Sequence, residues 1–143
     1  MRTLLLLCLL IPAAAAAQPR IGRVQARAEY GNTVLYPEND RSAPVFAYIA
    51  ASGYWMHVDG RLTELELLDN SGTARAMDRQ AGVMRTYRVE RYRARNRSFT
   101  VELWQREVET GGDCNEAFGG LTVRKGGKQA HLRVAGYDCP AGD

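Results

Sequence analysis

Histidine is scarce in this chain, which has only His57 and His131 among its 143 residues. The two fall on different predicted strands, and neither has a second ligand at the spacing of a metal site. Ser52-Gly53 lacks the Gly-x-Ser-x-Gly frame of a nucleophile elbow, and Gly126-Gly127 is a two-residue turn, not a phosphate-binding loop that opens a helix. The sequence therefore contains no recognisable catalytic or cofactor motif. We expect no catalytic residue, no metal and no cofactor.

Long apolar runs are also missing, apart from one stretch at the start. The run from Leu4 to Ile11 follows Met1-Arg2-Thr3 and precedes Pro12 and five alanines that end at Ala17. Crossing a bilayer takes about 20 apolar residues, so this run is too short for a membrane anchor. A basic start, a short apolar stretch and an Ala-x-Ala site are typical of a secretory signal peptide.

This leader predicts the destination and the domain organisation of the chain. Cleavage after Ala17 would make residues 1–17 a signal peptide and leave residues 18–143 as a single β domain, which is the size of one ordinary domain. We expect a periplasmic or secreted protein that is not stably inserted in a membrane after signal cleavage. An uncleaved anchor is the alternative that its short length disfavours.

Cysteine is rare as well, because the chain has three and Cys8 lies in the predicted leader. The other two, Cys114 and Cys139, would enter an oxidising compartment, where an even count indicates a disulfide. A redox-active pair is less expected, since the two are far apart and not in a Cys-x-x-Cys arrangement. The disulfide would also bring three loop carboxylates close together, those of Asp113, Glu116 and Asp138. They could bind Ca²⁺, although loop acids more often only aid solubility.

Excess charge is small, since the formal charge of +3 falls to +2 when Arg2 leaves with the leader. This balance does not imply a nucleic-acid or membrane partner. Arginine is nevertheless concentrated in one short stretch, at positions Arg79, Arg85, Arg88, Arg91, Arg93, Arg95 and Arg97. These arginines could bind a protein or an anionic envelope polymer, such as cell-wall polymer or lipopolysaccharide. Alternatively, the arginines could form a solvated strand face. Several glutamates could pair with them across a sheet and so favour this arrangement, namely Glu64, Glu66, Glu102, Glu107 and Glu109.

Helical periodicity is absent after the leader, and alternation of side chains dominates. Tyr54, Met56 and Val58, for example, alternate with Trp55 and His57. Many short strands at this spacing predict an all-β fold, namely a small antiparallel β-barrel or sandwich of about seven to eight strands with one disulfide. The polar stretch of residues 69–82 shows no clear alternation and predicts a short helix or a long loop.

Hairpin turns connect several of the predicted strands. Asp59-Gly60 gives the strongest signal, because both central positions of a type I′ turn need positive φ. Asn96-Arg97 and Gly126-Gly127 predict two more turns. The side chains expected to face the core are Thr63, Leu65, Leu67, Phe99, Val101, Leu103, Leu121, Val123, Leu132 and Val134. Those expected on the opposite face are Glu102, Trp104, His131 and Arg133.

Two segments together resemble small exported bacterial β-domains of unassigned function. They are Gly53-Tyr54-Trp55-Met56-His57-Val58-Asp59-Gly60 with Leu65 and Leu67, and Leu121-Thr122-Val123 with Gly126-Gly127, Val134, Gly136 and Cys139. The resemblance covers roughly the C-terminal two thirds of the chain. It implies a bacterial envelope protein and no particular activity.

A second resemblance points to a function. Ser52-Gly53-Tyr54 is similar to the Ser-Gly-x-x-Tyr loop signature of periplasmic lysozyme inhibitors, which are small disulfide-containing β-barrels with a leader. Here the tyrosine follows the glycine directly. The resemblance implies that Ser52 and Tyr54 enter a lysozyme cleft while the arginines pair with its catalytic carboxylates.

We predict an exported, non-catalytic binding module of the bacterial envelope. One alternative is a lysozyme-inhibitor-like protein with a protruding loop at residues 52–54. Another is a small hydrolase, in which His57 or His131 would meet a carboxylate. A binding module should expose aromatic side chains. For the two tryptophans, burial in the core and exposure at the surface are equally expected. The candidate partner-binding residues are Ser52, Tyr54, Trp55, Trp104, Arg88, Arg91 and Arg93.

Overall fold

The computed structural model describes residues 17–29, 31–70, 74–79 and 82–141, and these residues form strands and turns without a helix. The strands are β1 (Asn32–Pro37), β2 (Phe46–Ile49), β3 (Gly53–Val58), β4 (Arg61–Asp69), β5 (Ala74–Asp78), β6 (Val83–Ala94), β7 (Thr100–Val108), β8 (Asn115–Lys125) and β9 (Lys128–Asp138). The described residues contain no helix that is long and apolar enough to cross a membrane. The predicted leader, with Cys8, lies outside the described residues except for Ala17.

Eight of the strands close into an antiparallel barrel. Consecutive strands pair from β1 to β4 and from β6 to β9, while β1 pairs with β9 and β4 pairs with β6. β5 lies outside this ring and pairs with residues 83–87 of β6, whereas β4 pairs with residues 91–94 of the same strand. The all-β prediction is confirmed, and of its two forms the barrel is the one observed.

The polar stretch that was expected to form a helix or a loop contains β5 instead. Its residues pair with β6 from Ala74 opposite Tyr87 to Asp78 opposite Val83. The prediction was wrong because an edge strand is stabilised by the ladder that its neighbour offers, whatever its own alternation.

Two of the predicted hairpin turns have the expected backbone. Asp59 and Gly60 have φ angles of 51° and 79°, and Gly126 and Gly127 have φ angles of 57° and 74°. Positive φ at both central positions is the type I′ pattern, whose twist matches that of the flanking strands. The hairpin signals at Asp59-Gly60 and Gly126-Gly127 are therefore confirmed.

Apolar side chains from all sides of the barrel fill its centre. The buried cluster includes Leu35, Phe46, Met56, Leu65, Tyr92, Leu103, Leu121 and Val123. Of the side chains expected in the core, Leu67 is an exception, with 37% of its surface exposed. The register between β4 and β6 shifts between Leu67 and Asp69, and such an irregularity turns a strand end away from the ladder that would cover it.

The predicted disulfide joins Cys114 to Cys139. It ties the connection between β7 and β8 to the end of β9. The backbone of Cys139 is also hydrogen-bonded to the start of β1. Its N–H donates to the Asn32 carbonyl at 2.9 Å, and its carbonyl accepts from the Gly31 N–H at 2.7 Å. One rim of the barrel is thus fastened by both covalent and hydrogen bonds.

The segment before β1 crosses the outside of the barrel. The Gly22 N–H donates to the His57 carbonyl at 2.7 Å, and the Val24 N–H donates to the Pro44 carbonyl at 2.7 Å. The Val24 side chain is buried in a small cluster with Val34 and Ala47. This segment therefore covers the outer face of β1 to β3.

Candidate functional site

The arginines of the basic stretch are matched by acidic residues across the sheet. Arg91 lies 3.1 Å from Asp69 and 3.2 Å from Glu102, and Arg93 lies 3.0 Å from Glu66. The other glutamates expected to face arginines also pair with one, as Glu64–Arg95, Glu107–Arg88 and Glu109–Arg75. Arg91 and Arg93 are therefore parts of a solvated, charge-paired strand face, which is the second of the two roles considered for them above.

Tyr54 does not protrude from a loop. Its ring points into the barrel, with ring centroids 4.7 Å from Tyr48 and 4.9 Å from Tyr92. Ser52 is exposed at the preceding turn, where its hydroxyl accepts a hydrogen bond of 2.9 Å from Trp55 Nε1. The protruding loop that the inhibitor alternative would require is not observed, because strand alternation from the buried Met56 turns Tyr54 inward. Tyr54 is thus not placed to enter the cleft of another protein.

The two tryptophans both lie on the outer face, but in different surroundings. Trp55 is partly buried and packs against the cluster of Val24, Val34 and Ala47 beneath the N-terminal segment. Trp104 on β7 is 50% exposed. Of the two tryptophans, Trp104 is therefore the one that offers an open aromatic surface.

The Trp104 indole lies against the backbone of β8. A Cβ atom at Gly120 would overlap the indole Nε1 and would come within 3.0 Å of His131 Cε1. Gly120 is directly opposite Trp104 in the β7–β8 register. Because Gly120 has no side chain, the Trp104 indole can pack directly against β8. The indole is therefore exposed on one face and held in position by this contact on the other.

Trp104 borders a groove of about 290 Å³, which we call the outer groove. Its lining side chains are Glu38, Tyr87, Trp104, Arg106, Phe118 and Arg133. The Arg106 guanidinium stacks over Phe118 at 5.6 Å from the ring centroid, and Arg133 pairs with Glu38 at 3.0 Å. Tyr87 is 40% exposed. The groove thus combines open aromatic faces with two guanidinium groups.

Polar side chains also occupy one end of the barrel interior, which we call the polar interior. They are Thr33, Tyr48, Tyr54, Arg88, Glu90, Gln105, Glu107 and Asp138. Arg88 Nη2 lies 2.8 Å from Glu107 Oε1, although its N–H is not aimed well enough for a hydrogen bond. The Thr33 hydroxyl donates to Asp138 Oδ1 at 2.5 Å. Most of this group was not predicted as a site, and Arg88 and Tyr54 were predicted only as surface contacts.

The electrostatics of the polar interior follow from burial. Burial, and then the charge of Asp138, raise the pKa of Glu107 to about 7 despite the opposing charge of Arg88. Burial and the Glu90 charge raise the pKa values of Tyr54 and Tyr92 above the usual range. The two phenols therefore stay neutral at physiological pH, and Glu107 changes its charge near neutrality.

Among the described residues, neither histidine pairs with a carboxylate as the acid–base pair of a hydrolase would. His131 Nδ1 lies 2.9 Å from the Thr122 hydroxyl, and His57 is partly buried beside Gly22. Within the described part of the chain, no group of three His, Cys, Asp or Glu side chains could hold a metal ion. The loop acids considered for Ca²⁺ diverge, since Asp138 bonds to Thr33 inside the barrel while Asp113 and Glu116 are exposed.

No protein-family model matches this chain, and neither the curated proteins nor the solved structures contain a significant match to it. The resemblances to exported bacterial domains and to lysozyme inhibitors therefore stay predictions.

Proposed function

We propose that this chain is an exported, non-catalytic binding module of the bacterial envelope, and that its outer groove binds an anionic polysaccharide. The observation that carries the proposal is the half-exposed Trp104 indole at the edge of the groove. Large exposed aromatic side chains are concentrated at interaction sites, because they gain much from burial in a complex.

The shape of the groove supports a ligand with flat, partly apolar faces. Trp104, Tyr87 and Phe118 present aromatic surface on neighbouring strands. Sugar rings have C–H faces that pack on such surfaces, while their hydroxyls remain free for polar groups at the rim. A polysaccharide therefore suits an open groove on a sheet better than a compact ligand does.

The charge of the groove supports an anionic polymer over a neutral one. Arg106 has no carboxylate within ion-pair distance in the described residues, whereas Arg133 is balanced by Glu38. Arg106 is therefore available to a sulfate, phosphate or carboxylate group on the ligand. A guanidinium already stacked on an aromatic ring is held in position for such a group.

Trp104 fluorescence can test the proposal directly. Trp55→Phe leaves Trp104 as the sole tryptophan, since the chain has two. Titration of this variant with soluble anionic cell-wall glycan, or with lipid-free lipopolysaccharide oligosaccharide, should shift its emission to shorter wavelength. Neutral dextran is the ligand control.

Two further variants separate the aromatic contribution from the charge. Trp104→Ala in the natural background should lose binding measured by calorimetry, by about tenfold or more. Arg106→Gln should weaken binding and reduce its dependence on salt, because surface charge interactions are screened by ions. Undiminished binding by Trp104→Ala, or equal binding of dextran, would overturn the proposal.

A further inference from the structure

The polar interior contains a cavity that is separate from the outer groove. Its volume is about 200 Å³. The side chains around it point into the barrel, whereas Trp104 and Arg106 point outward from the same strands. Tyr48, Tyr54, Arg88 and Asp138 are partly exposed, so the cavity opens to solvent. It is therefore accessible to a small molecule.

Carboxyl groups outnumber cationic groups around this cavity. Glu90 and Asp138 line it and Glu107 lies beside them, and among the described residues these three carboxyl groups face one guanidinium, that of Arg88. Two of the four lining hydroxyls, which belong to Thr33, Tyr48, Tyr54 and Tyr92, already donate to these carboxylates. Tyr92 already donates to Glu90 Oε2 at 2.6 Å, and Thr33 already donates to Asp138 Oδ1 at 2.5 Å.

Gln105 supplies an acceptor in the wall of the cavity that has no hydrogen-bond partner in the described part of the chain. Gln105 is 3% exposed, and its Oε1 atom is buried without a donor. Its side chain lines the same cavity. Buried polar atoms are nearly always paired, so an unpaired acceptor at the wall of a cavity indicates a donor that comes from outside the chain.

Aromatic rings form another part of the wall. Tyr54 lies between Tyr48 and Tyr92, at centroid distances of 4.7 Å and 4.9 Å. The negative faces of aromatic rings attract cations, most strongly where water is excluded. Aromatic rings and carboxylates therefore favour the same kind of ligand.

We propose that the polar interior binds one small organic ammonium ion. Its N–H groups donate to Gln105 Oε1 and to the carboxylates of Glu90 and Asp138, and its carbon atoms pack against the tyrosine rings. An eight-stranded barrel is wide enough to hold one small ligand. The cavity has the volume of about seven water molecules, each of which occupies about 30 Å³ in the liquid, so the ligand must be small.

The protonation of Glu107 supports this assignment and adds a pH signature. A cation in the cavity favours the charged form of Glu107, whose pKa is about 7 in the free protein. Binding should therefore release protons near neutral pH, and affinity should increase from about pH 6 to about pH 8. The other charged groups facing Glu107 are Arg88, Glu90 and Asp138, and Tyr54 and Tyr92 stay neutral in this range.

The test uses n-propylammonium chloride with the mature protein. Calorimetry should detect binding at millimolar concentration, whereas n-propanol and sodium propionate, which match its size, should not bind. Sodium chloride at the same ionic strength controls for inorganic cations. Two buffers with different heats of ionisation measure the released protons.

Three variants keep the test independent of folding. Gln105→Met keeps the length of the side chain and removes the unpaired acceptor, so it should remain as stable as the natural chain while affinity falls about tenfold or more. Asp138→Asn keeps the shape and removes one charge, so it should also weaken binding of the cation. Trp104→Ala, which disrupts only the outer groove, should bind the amine normally. Failure of propylammonium to bind, or equal affinity in Gln105→Met, would overturn the inference.

Discussion

The Tyr92 hydroxyl donates a hydrogen bond of 2.6 Å to Glu90 Oε2 inside the barrel. The two residues are two positions apart on β6, so their side chains point to the same face of the strand. The Tyr92 ring is fully buried and packs against Phe46, with centroids 5.4 Å apart. This hydrogen bond therefore joins the apolar centre of the barrel to its polar interior.

We expect Tyr92→Phe to lower the free energy of unfolding by about 1–3 kcal/mol, because the buried Glu90 carboxylate loses its donor while the ring packing is kept. Urea unfolding at neutral pH measures this loss. Tyr87→Phe, on the outer face of the same strand, is the matched control and should change the free energy by less than about 0.5 kcal/mol. Equal losses in the two variants would contradict a stabilising role for the bond.

The sequence predicted the barrel well where strands have one apolar face. The alternation of Val101 and Leu103 with Glu102 and Trp104 was sufficient to assign the inner and outer faces of β7. Asp59-Gly60 marked its turn because few residue pairs tolerate two positive φ angles in succession. β5 was missed because its strand conformation depends on a partner and not on its own pattern.

The polar interior was missed for a different physical reason. Arg88 and Glu90 continue the inward face of Tyr92, and Gln105 and Glu107 continue that of Leu103. A polar residue in a strand is ordinarily assigned to the solvent-facing side. Where a strand extends beyond the apolar core, its inward-facing residues become polar, and the alternation of apolar and polar residues is no longer visible in the sequence. Extending the alternation strictly from Leu103 would have placed Gln105 and Glu107 inside.

Glu107 should make the protein less stable as the pH rises through neutrality. Its pKa rises from an ordinary value of 4.5 to about 7 on folding, mainly through burial. Between these values the folded protein binds a proton that the unfolded chain has released. The stabilising contribution of the neutral carboxyl is complete below about pH 4.5 and is lost as the pH rises through about 7, because the buried group must then carry its charge.

Urea unfolding at about pH 5 and about pH 8 should show this loss as about 1–3 kcal/mol. Glu107→Gln should remove most of the difference, whereas Glu109→Gln, at an exposed ion pair near the end of β7, should retain it. Asp40, Asp59 and Glu66 have lowered pKa values, so their contributions change at lower pH, outside this interval. A stability that is the same at both pH values in the natural chain would contradict the prediction.

The disulfide should contribute substantially to stability. Cys114 and Cys139 are 25 residues apart, and closing a loop of this length stabilises a fold by about 3 kcal/mol in the chain-entropy model. We expect Cys114→Ser combined with Cys139→Ser to lower the free energy of unfolding by about this amount. Reductant should destabilise the natural chain similarly and leave the double variant unchanged. Reduction should increase the intact mass by two hydrogens, and an unchanged mass would show that the disulfide is not formed.

Gly120→Ala tests whether the resting place of the indole matters for the outer groove. The added methyl would overlap Trp104 Nε1, so the indole must move, at a cost of about 1–3 kcal/mol in stability. Its fluorescence, measured with Trp55→Phe, should shift to longer wavelength, and binding of the anionic glycan should weaken. Gly112→Ala is the matched control, because its methyl would meet nothing nearer than Thr110 Oγ1 at 3.6 Å. Unchanged emission and binding in Gly120→Ala would mean that the position of the indole on β8 is not what makes the groove bind.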